Sequence, residues 1–176
     1  GSDTLKRETE GHMTWMATLA PKLERLASGA TFEDRYVLSI VVFYDRPSEL
    51  LADPAQYPAS EWAVNINLDS GGTNGGEVTL SGTTAEEVNV RNGQWIMLMS
   101  RTRVPDNNNG HIMPLCRWYR VVDADEPVGS AAPYTNTVSL AGADWTDSTG
   151  TQPFRAIICK GVVAVYEKTI KLESRL

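Results

Sequence analysis

The chain has 176 residues and a formal net charge of −6; 41% of its residues are hydrophobic and 22% are charged. This length fits one domain with a buried core, and the composition is ordinary for a globular protein. The basic residues are scattered, whereas nucleic-acid binding requires a cationic stripe that neutralises phosphates. We therefore expect no nucleic-acid partner. No apolar run reaches the length of about 18 residues that a membrane-spanning helix needs.

The first ten residues differ from the rest of the chain. Gly1 and Ser2 resemble the remnant of a purification tag, and residues 3–10 are charged and lack an apolar stripe. This stretch is either a tail or the end of a longer helix. We interpret residues 1–10 as a tag remnant with a flexible segment, and residues 11–176 as a single β-rich domain.

Two strand patterns follow this segment. Residues 13–19 alternate with period two, which is typical of a half-buried strand, and Pro21 ends the pattern. One face of this strand carries Met13, Trp15, Ala17 and Leu19. Residues 36–44 are apolar on both faces and rich in β-branched side chains, which predicts a central strand of a sheet.

More strand patterns follow, separated by turn residues. They lie at Trp62–Leu68, Glu77–Ser81, Gln94–Ser100, Ile112–Val122, Val138–Leu140 and Phe154–Leu172. The glycine-rich segment 70–76 and the polar loop 104–110 each predict a hairpin. Gly161 predicts a bend or bulge within the last strand, and residues 123–150 read as an irregular insertion. The fold class is mainly β, with antiparallel sheets of about eight strands and at most short helices.

The two cysteines, Cys116 and Cys159, each lie in a strand pattern. They can form one disulfide or stay as two reduced thiols in the core, and the sequence leaves both alternatives open.

Catalytic chemistry finds little support in the sequence. His12 and His111 both lie next to glycine, no Gly-x-Ser-x-Gly is present, and neither histidine has cysteine or histidine at zinc-ligand spacing. The acidic residues near the irregular insertion are the strongest candidates, because a glycosidase uses two carboxylates and often aromatic platforms. The carboxylates are Asp123, Asp125, Glu126, Asp144 and Asp147, and the nearby aromatics are Trp118, Tyr119, Tyr134 and Trp145. Solvated loop acids and core tryptophans explain the same pattern, so we predict no enzyme, no catalytic residues and no organic cofactor.

A calcium ion is a weaker alternative for the same acidic region. Residues 106–110 and 144–150 contain the Asp, Asn and Gly composition of oxygen-rich loops, but neither matches the EF-hand pattern. We treat both segments as turns and assign no metal ligands.

The order of strands resembles the soluble head domains of type IV pilin-like proteins, either minor pilins or type II secretion pseudopilins. Three parts carry the resemblance: a first strand pair, a later hairpin and a closing strand. They comprise Glu10–Leu19 with Tyr36–Arg46, Gly93–Met99 with Arg117–Val122, and Gly161–Leu172. Together they cover about a third of the chain, and none is a catalytic fingerprint.

The resemblance implies a non-enzymatic structural or assembly subunit of a pilus or pseudopilus. Such a head follows an apolar N-terminal helix, so the gene is expected to encode that helix just upstream of Asp3. The implied location is the bacterial cell envelope, with inner-membrane anchoring before assembly. The implied partners are other pilin or pseudopilin subunits, and membrane contact runs only through the upstream helix.

Two other function classes fit a β-rich chain without catalytic motifs. One is a carbohydrate- or ligand-binding β-sandwich that uses the exposed members of the five tryptophans. The other is a structural β domain of a virion.

Overall fold

The computed structural model describes residues 12–22, 35–46, 60–69, 74–104, 111–144 and 153–171. These residues form nine strands and one short helix. In chain order they are β1 (Met13–Pro21), β2 (Arg35–Tyr44), β3 (Glu61–Leu68), β4 (Gly75–Gly82), α1 (Ala85–Val88), β5 (Trp95–Val104), β6 (His111–Ala124), β7 (Tyr134–Ala141), β8 (Arg155–Cys159) and β9 (Val162–Lys171). The predicted mainly β, antiparallel fold class is confirmed.

Six strands close into an antiparallel barrel in the order β3-β4-β7-β6-β5-β8. Strand β3 shows why its sequence folds this way. Val64 and Ile66 point into the barrel and are buried, whereas Asn65 and Asn67 alternate with them and are exposed. The same period of two fills the barrel with aliphatic side chains from each strand. The predicted hairpins β3–β4 and β5–β6 are both present.

The remaining three strands form a separate sheet in the order β1-β2-β9. Strand β2 lies in the centre, as its two apolar faces predicted, and it pairs antiparallel with β1 and with β9. Within the described residues β1 and β9 each pair with β2 alone, so both are edge strands of this sheet.

One face of this sheet, the inner face, packs on the outside of the barrel. Val41 and Phe43 of β2 are fully buried there against Met97, Trp118 and Cys159 of the barrel strands. The Trp118 indole N–H also donates to the hydroxyl of Thr18 at 3.3 Å. This second hydrophobic core joins the sheet to the barrel.

Helix α1 follows a capping box that the sequence contains as Thr84-x-x-Glu87. The Thr84 hydroxyl accepts from the backbone N–H of Glu87, and the Glu87 carboxylate accepts from the backbone N–H of Thr84. Hydrogen bonds from Thr83 to the carboxylate lower the pKa of Glu87. Val88 is buried in the barrel core, so the short helix is held by packing as well as by its cap.

Two local predictions were wrong. Residues 154–172 are not one bulged strand, because β8 belongs to the barrel and β9 to the three-stranded sheet, and Gly161 lies in the turn between them at φ 75°. The interval 123–150 is also more regular than predicted. It contains the eight-residue strand β7, which pairs with both β4 and β6.

Candidate functional site

The face of the three-stranded sheet that points away from the barrel is the most unusual surface of the described chain. We call it the outer face. It consists of Met13, Trp15, Ala17, Leu19 and Pro21 of β1, Tyr36, Leu38, Ile40, Val42 and Tyr44 of β2, and Ala164, Tyr166, Lys168 and Ile170 of β9. Residues paired across antiparallel strands share a face, so the register alone defines this set.

The outer face is apolar and open to solvent. Trp15 is 70% exposed and Tyr166 is 65% exposed, while Met13, Leu19 and Tyr44 are each about half exposed. Trp15 lies beside a shallow pocket of about 430 Å³ that is lined by Met13, Thr14, Ile40 and Val42 as well. Large side chains that are exposed together on one surface indicate an interaction site rather than scattered surface residues.

The alternation of β1 was predicted correctly, but the burial of its apolar face was wrong. Met13, Trp15, Ala17 and Leu19 share one face and all four are exposed. The opposite face carries Met16, Thr18 and Ala20, and it packs toward the barrel. The barrel therefore covers the more polar face of β1 and leaves its apolar face exposed to solvent.

A second candidate is a pocket of about 590 Å³ beside helix α1. Its aromatic residue is Trp62, whose indole N–H donates to the carbonyl oxygen of Glu87 at 2.8 Å, and the Lys160 ammonium lies 5.5 Å from the centre of the Trp62 ring. Ile158 and Cys159 also line the pocket, together with several polar side chains: Thr84, Glu86, Glu87, Asn89, Arg91 and Gln94. The mixture of one aromatic ring with amide, hydroxyl and charged groups can bind a polar ligand.

Among the described residues, the candidate glycosidase carboxylates lie on the surface, whereas the candidate aromatics Trp118 and Tyr119 lie in the core. Asp123, Asp125 and Glu126 are all exposed, at the end of β6 and just beyond it. An oxygen of Asp144 accepts from the backbone N–H of Asn74 at 2.6 Å. Asp147 and Trp145 lie outside the described residues.

The nearby aromatic side chains are structural. Trp118 and Tyr119 are 3% and 0% exposed, and the hydroxyl of Tyr119 donates to the carbonyl oxygen of Ala143 at 2.8 Å. Burial is the main reason that the pKa of Tyr119 is raised. Tyr134 is half-buried and packs against the barrel core. These rings are therefore not open to stack on a sugar.

The described part of the chain contains only some of the residues considered as metal ligands. Among the described residues no group of three or more His, Cys, Asp or Glu side chains converges on a metal-binding position. His12 is exposed with its Nδ1 3.4 Å from the Asp45 carboxylate, and His111 is the first residue of β6. The calcium alternative rested on segments 106–110 and 144–150. All of the first and residues 145–150 of the second lie outside the described residues, so that alternative stays untested.

The two cysteines are free thiols in the structure. Cys159 is on β8 and Cys116 is on β6, with β5 between them. Strand spacing and register place their Cα atoms about 15 Å apart, whereas a disulfide needs about 4.4–6.8 Å. Burial raises the pKa of Cys159 to about 11 and also raises the pKa of Cys116.

Titration with a thiol reagent is expected to distinguish the two cysteine alternatives. Because both thiols are buried or half-buried with raised pKa values, the folded protein at neutral pH should react slowly at both positions. In denaturant without reductant, two thiols per chain should react at once. No reactive thiol in denaturant, with two appearing only after reduction, would contradict this structure.

No described helix has the length and apolar composition needed to cross a bilayer. Comparison with known proteins adds no assignment: no family model, no curated protein and no solved structure matches this chain.

Proposed function

We propose that this chain is a non-enzymatic assembly subunit that contacts other protein subunits through its outer face. The observation that supports the proposal is the exposure of Trp15 and Tyr166 on a sheet face whose central rows carry only apolar side chains. Burial of such a surface against a partner is favourable by about 25 cal/mol per Å² of apolar area removed from water. The inner face of the same sheet is packed on the barrel, which leaves the outer face open to a partner.

At the family level we propose the head of a pilin-like envelope protein, a minor pilin or type II secretion pseudopilin. The support is the resemblance of the strand order together with the surface just described. The proposed partners are other pilin or pseudopilin subunits, the proposed place is the bacterial cell envelope, and the chain itself performs no catalysis.

The coding sequence upstream of Asp3 tests the family. A pilin-like protein requires about 20 apolar residues there to form a membrane-length helix, preceded by a short basic leader with glycine at the cleavage point. A native start at Asp3 would rule out the pilin family while leaving the assembly proposal to be tested separately.

The assembly role is tested by a photo-crosslinking side chain placed at Leu19 in the native cell. We expect adducts with defined protein subunits, and we expect Trp15→Lys to remove the chain from its assembled fraction. The thermal midpoint of this variant should equal that of the unchanged chain when both are measured at a concentration that keeps them monomeric. The same crosslinker at Glu126, an exposed residue after β6, serves as the matched control. Normal assembly of the Trp15→Lys variant would refute the role of the outer face.

A ligand-binding function is the second candidate, and the Trp62 pocket is what favours it. An aromatic ring bordered by Asn89 and Gln94 amides matches the way proteins bind sugars and other polar small molecules. Tryptophan fluorescence across a panel of sugars tests it, with Trp62→Phe as the variant that should abolish a response. Trp15 suits a sugar less well, because Thr14 is the one hydroxyl-bearing residue lining its pocket.

A further inference from the structure

We infer that the partner of the outer face is the outer face of a second copy of this chain, so that the protein forms a face-to-face dimer. This inference rests on the proposed assembly role and names the partner of that same surface. Three features carry it: the distribution of exposed apolar side chains, the arrangement of large and small residues, and the area available.

The location of the exposed apolar side chains indicates a partner with a similarly apolar surface. Six of the eight large hydrophobic residues exposed in the described chain belong to the three-stranded sheet, and the other two are isolated at Val122 and Val128. The cross-strand rows at the centre of the outer face contain no charged side chain; Lys168 lies one row further out. A charged partner surface would therefore lose hydration here without gaining an opposite charge.

Large and small side chains alternate across the centre of the outer face. One row runs Trp15–Val42–Ala164 and the next runs Ala17–Ile40–Tyr166. The two large aromatic residues thus occupy one diagonal of the four edge positions. Ala17 and Ala164 occupy the other diagonal, where the small side chains leave the surface recessed.

This pattern is complementary to itself. Consider two copies whose outer faces meet, with a two-fold axis between them that runs perpendicular to the strands and midway between these two rows. The axis places each of the two rows over the other row of the partner copy. Trp15 of each copy then lies over Ala17 of its partner, and Tyr166 lies over Ala164. In the next rows Leu19 meets Met13 and Leu38 meets Tyr44, so apolar side chains face apolar side chains. Isologous contact of this type closes as a dimer and leaves no free copy of the surface.

The area is sufficient for a modest dimer. Nine-residue strands at about 3.3 Å per residue give the face a length of about 30 Å, and three strands give a width of about 14 Å. Side chains make the surface uneven, so its accessible area is larger than that of the flat rectangle. Each copy buries roughly 600 Å² of accessible surface, or about 1,200 Å² for the pair, which is the lower end of the range for stable interfaces. Aligned packing of two twisted sheets at a separation of about 10 Å accommodates this arrangement.

Sedimentation equilibrium of the purified chain measures this dimer directly. We expect a reversible monomer–dimer equilibrium in the micromolar range. Trp15→Ala should weaken it by about 30-fold or more, as expected for a central aromatic residue of an interface. Tyr166→Ala is a second variant, which removes the other large-over-small contact.

A residue swap tests the proposed geometry. Ala17→Trp adds apolar surface, yet it should abolish the dimer because Trp15 of the partner then meets a second indole instead of a small side chain. The double variant W15A/A17W restores large over small, so it should dimerise again. Ala141→Trp, the same change at an exposed alanine of barrel strand β7, is the matched control and should leave the equilibrium unchanged.

The outcomes separate this inference from the proposed function. A purified chain that stays monomeric at high concentration, a tighter dimer of the A17W variant, or no rescue in the double variant would each overturn the second-copy arrangement. If the chain is monomeric while Trp15→Lys still disrupts assembly in the cell, the assembly role holds and its partner is a different protein.

Discussion

Phe43→Ala is expected to lower the free energy of unfolding by about 3–5 kcal/mol. Phe43 is fully buried where the three-stranded sheet packs on the barrel, and the Arg46 guanidinium lies 4.5 Å from the centre of its ring. The substitution leaves a cavity between two β layers that backbone pairing holds in place, so the surroundings can collapse only partly. Urea unfolding monitored by circular dichroism measures the loss.

Tyr44→Ala is the matched control for this experiment. Tyr44 is the next residue along β2, but it points to the outer face and is 52% exposed. At a protein concentration low enough to keep the chain monomeric, its removal should cost about 1 kcal/mol or less. Equal losses for the two variants would contradict the packing of the sheet on the barrel.

Unfolding of the Phe43→Ala variant also shows whether the three-stranded sheet and the barrel unfold together. The second core contains residues of both the sheet and the barrel, including Val41, Met97 and Trp118. Loss of Phe43 should therefore shift one cooperative transition rather than release the sheet before the barrel. Hydrogen exchange of backbone amides in β2 and in barrel strand β5 is expected to report the same free energy of opening.

The strands could be predicted from the sequence because alternation reflects which side chains enter a core. Strand β3 is the clearest example, with Val64 and Ile66 buried and its asparagines outside. Helix α1 was missed although its signal was present, since Thr84-x-x-Glu87 is a capping box. Four helical residues are too few to show apolar periodicity.

The closure of the barrel and the identity of the exposed face were not predictable in this way. Closure depends on pairings between distant segments, such as β3 with β8, and no local pattern encodes them. In β1 both faces carry apolar residues, so the barrel decides which one is covered. It covers the side with Thr18, whose hydroxyl accepts from Trp118, and leaves Trp15 exposed.

Gly161→Ala is expected to destabilise the fold more than the same change at another glycine with positive φ. Gly161 has φ +75° and lies where the chain leaves barrel strand β8 for sheet strand β9. Its carbonyl oxygen accepts from the backbone N–H of Tyr44 at 2.7 Å, and an added Cβ would overlap the carbonyl oxygen of Tyr44. The substitution therefore forces either the turn or the end of β2 to move.

Gly93→Ala separates the cost of a left-handed backbone from the cost of the steric clash. Gly93 has φ +86°, but its nearest contact for an added Cβ is the flexible end of Arg120 at 3.9 Å, so only the left-handed backbone penalty of about 1–2 kcal/mol applies. Gly161→Ala should lose about 1–3 kcal/mol more, since a backbone clash adds to the same penalty. Urea midpoints of the two variants give the difference. If both lose the same stability, the close approach of Gly161 to the Tyr44 carbonyl adds nothing to the left-handed backbone penalty, and the predicted clash is wrong.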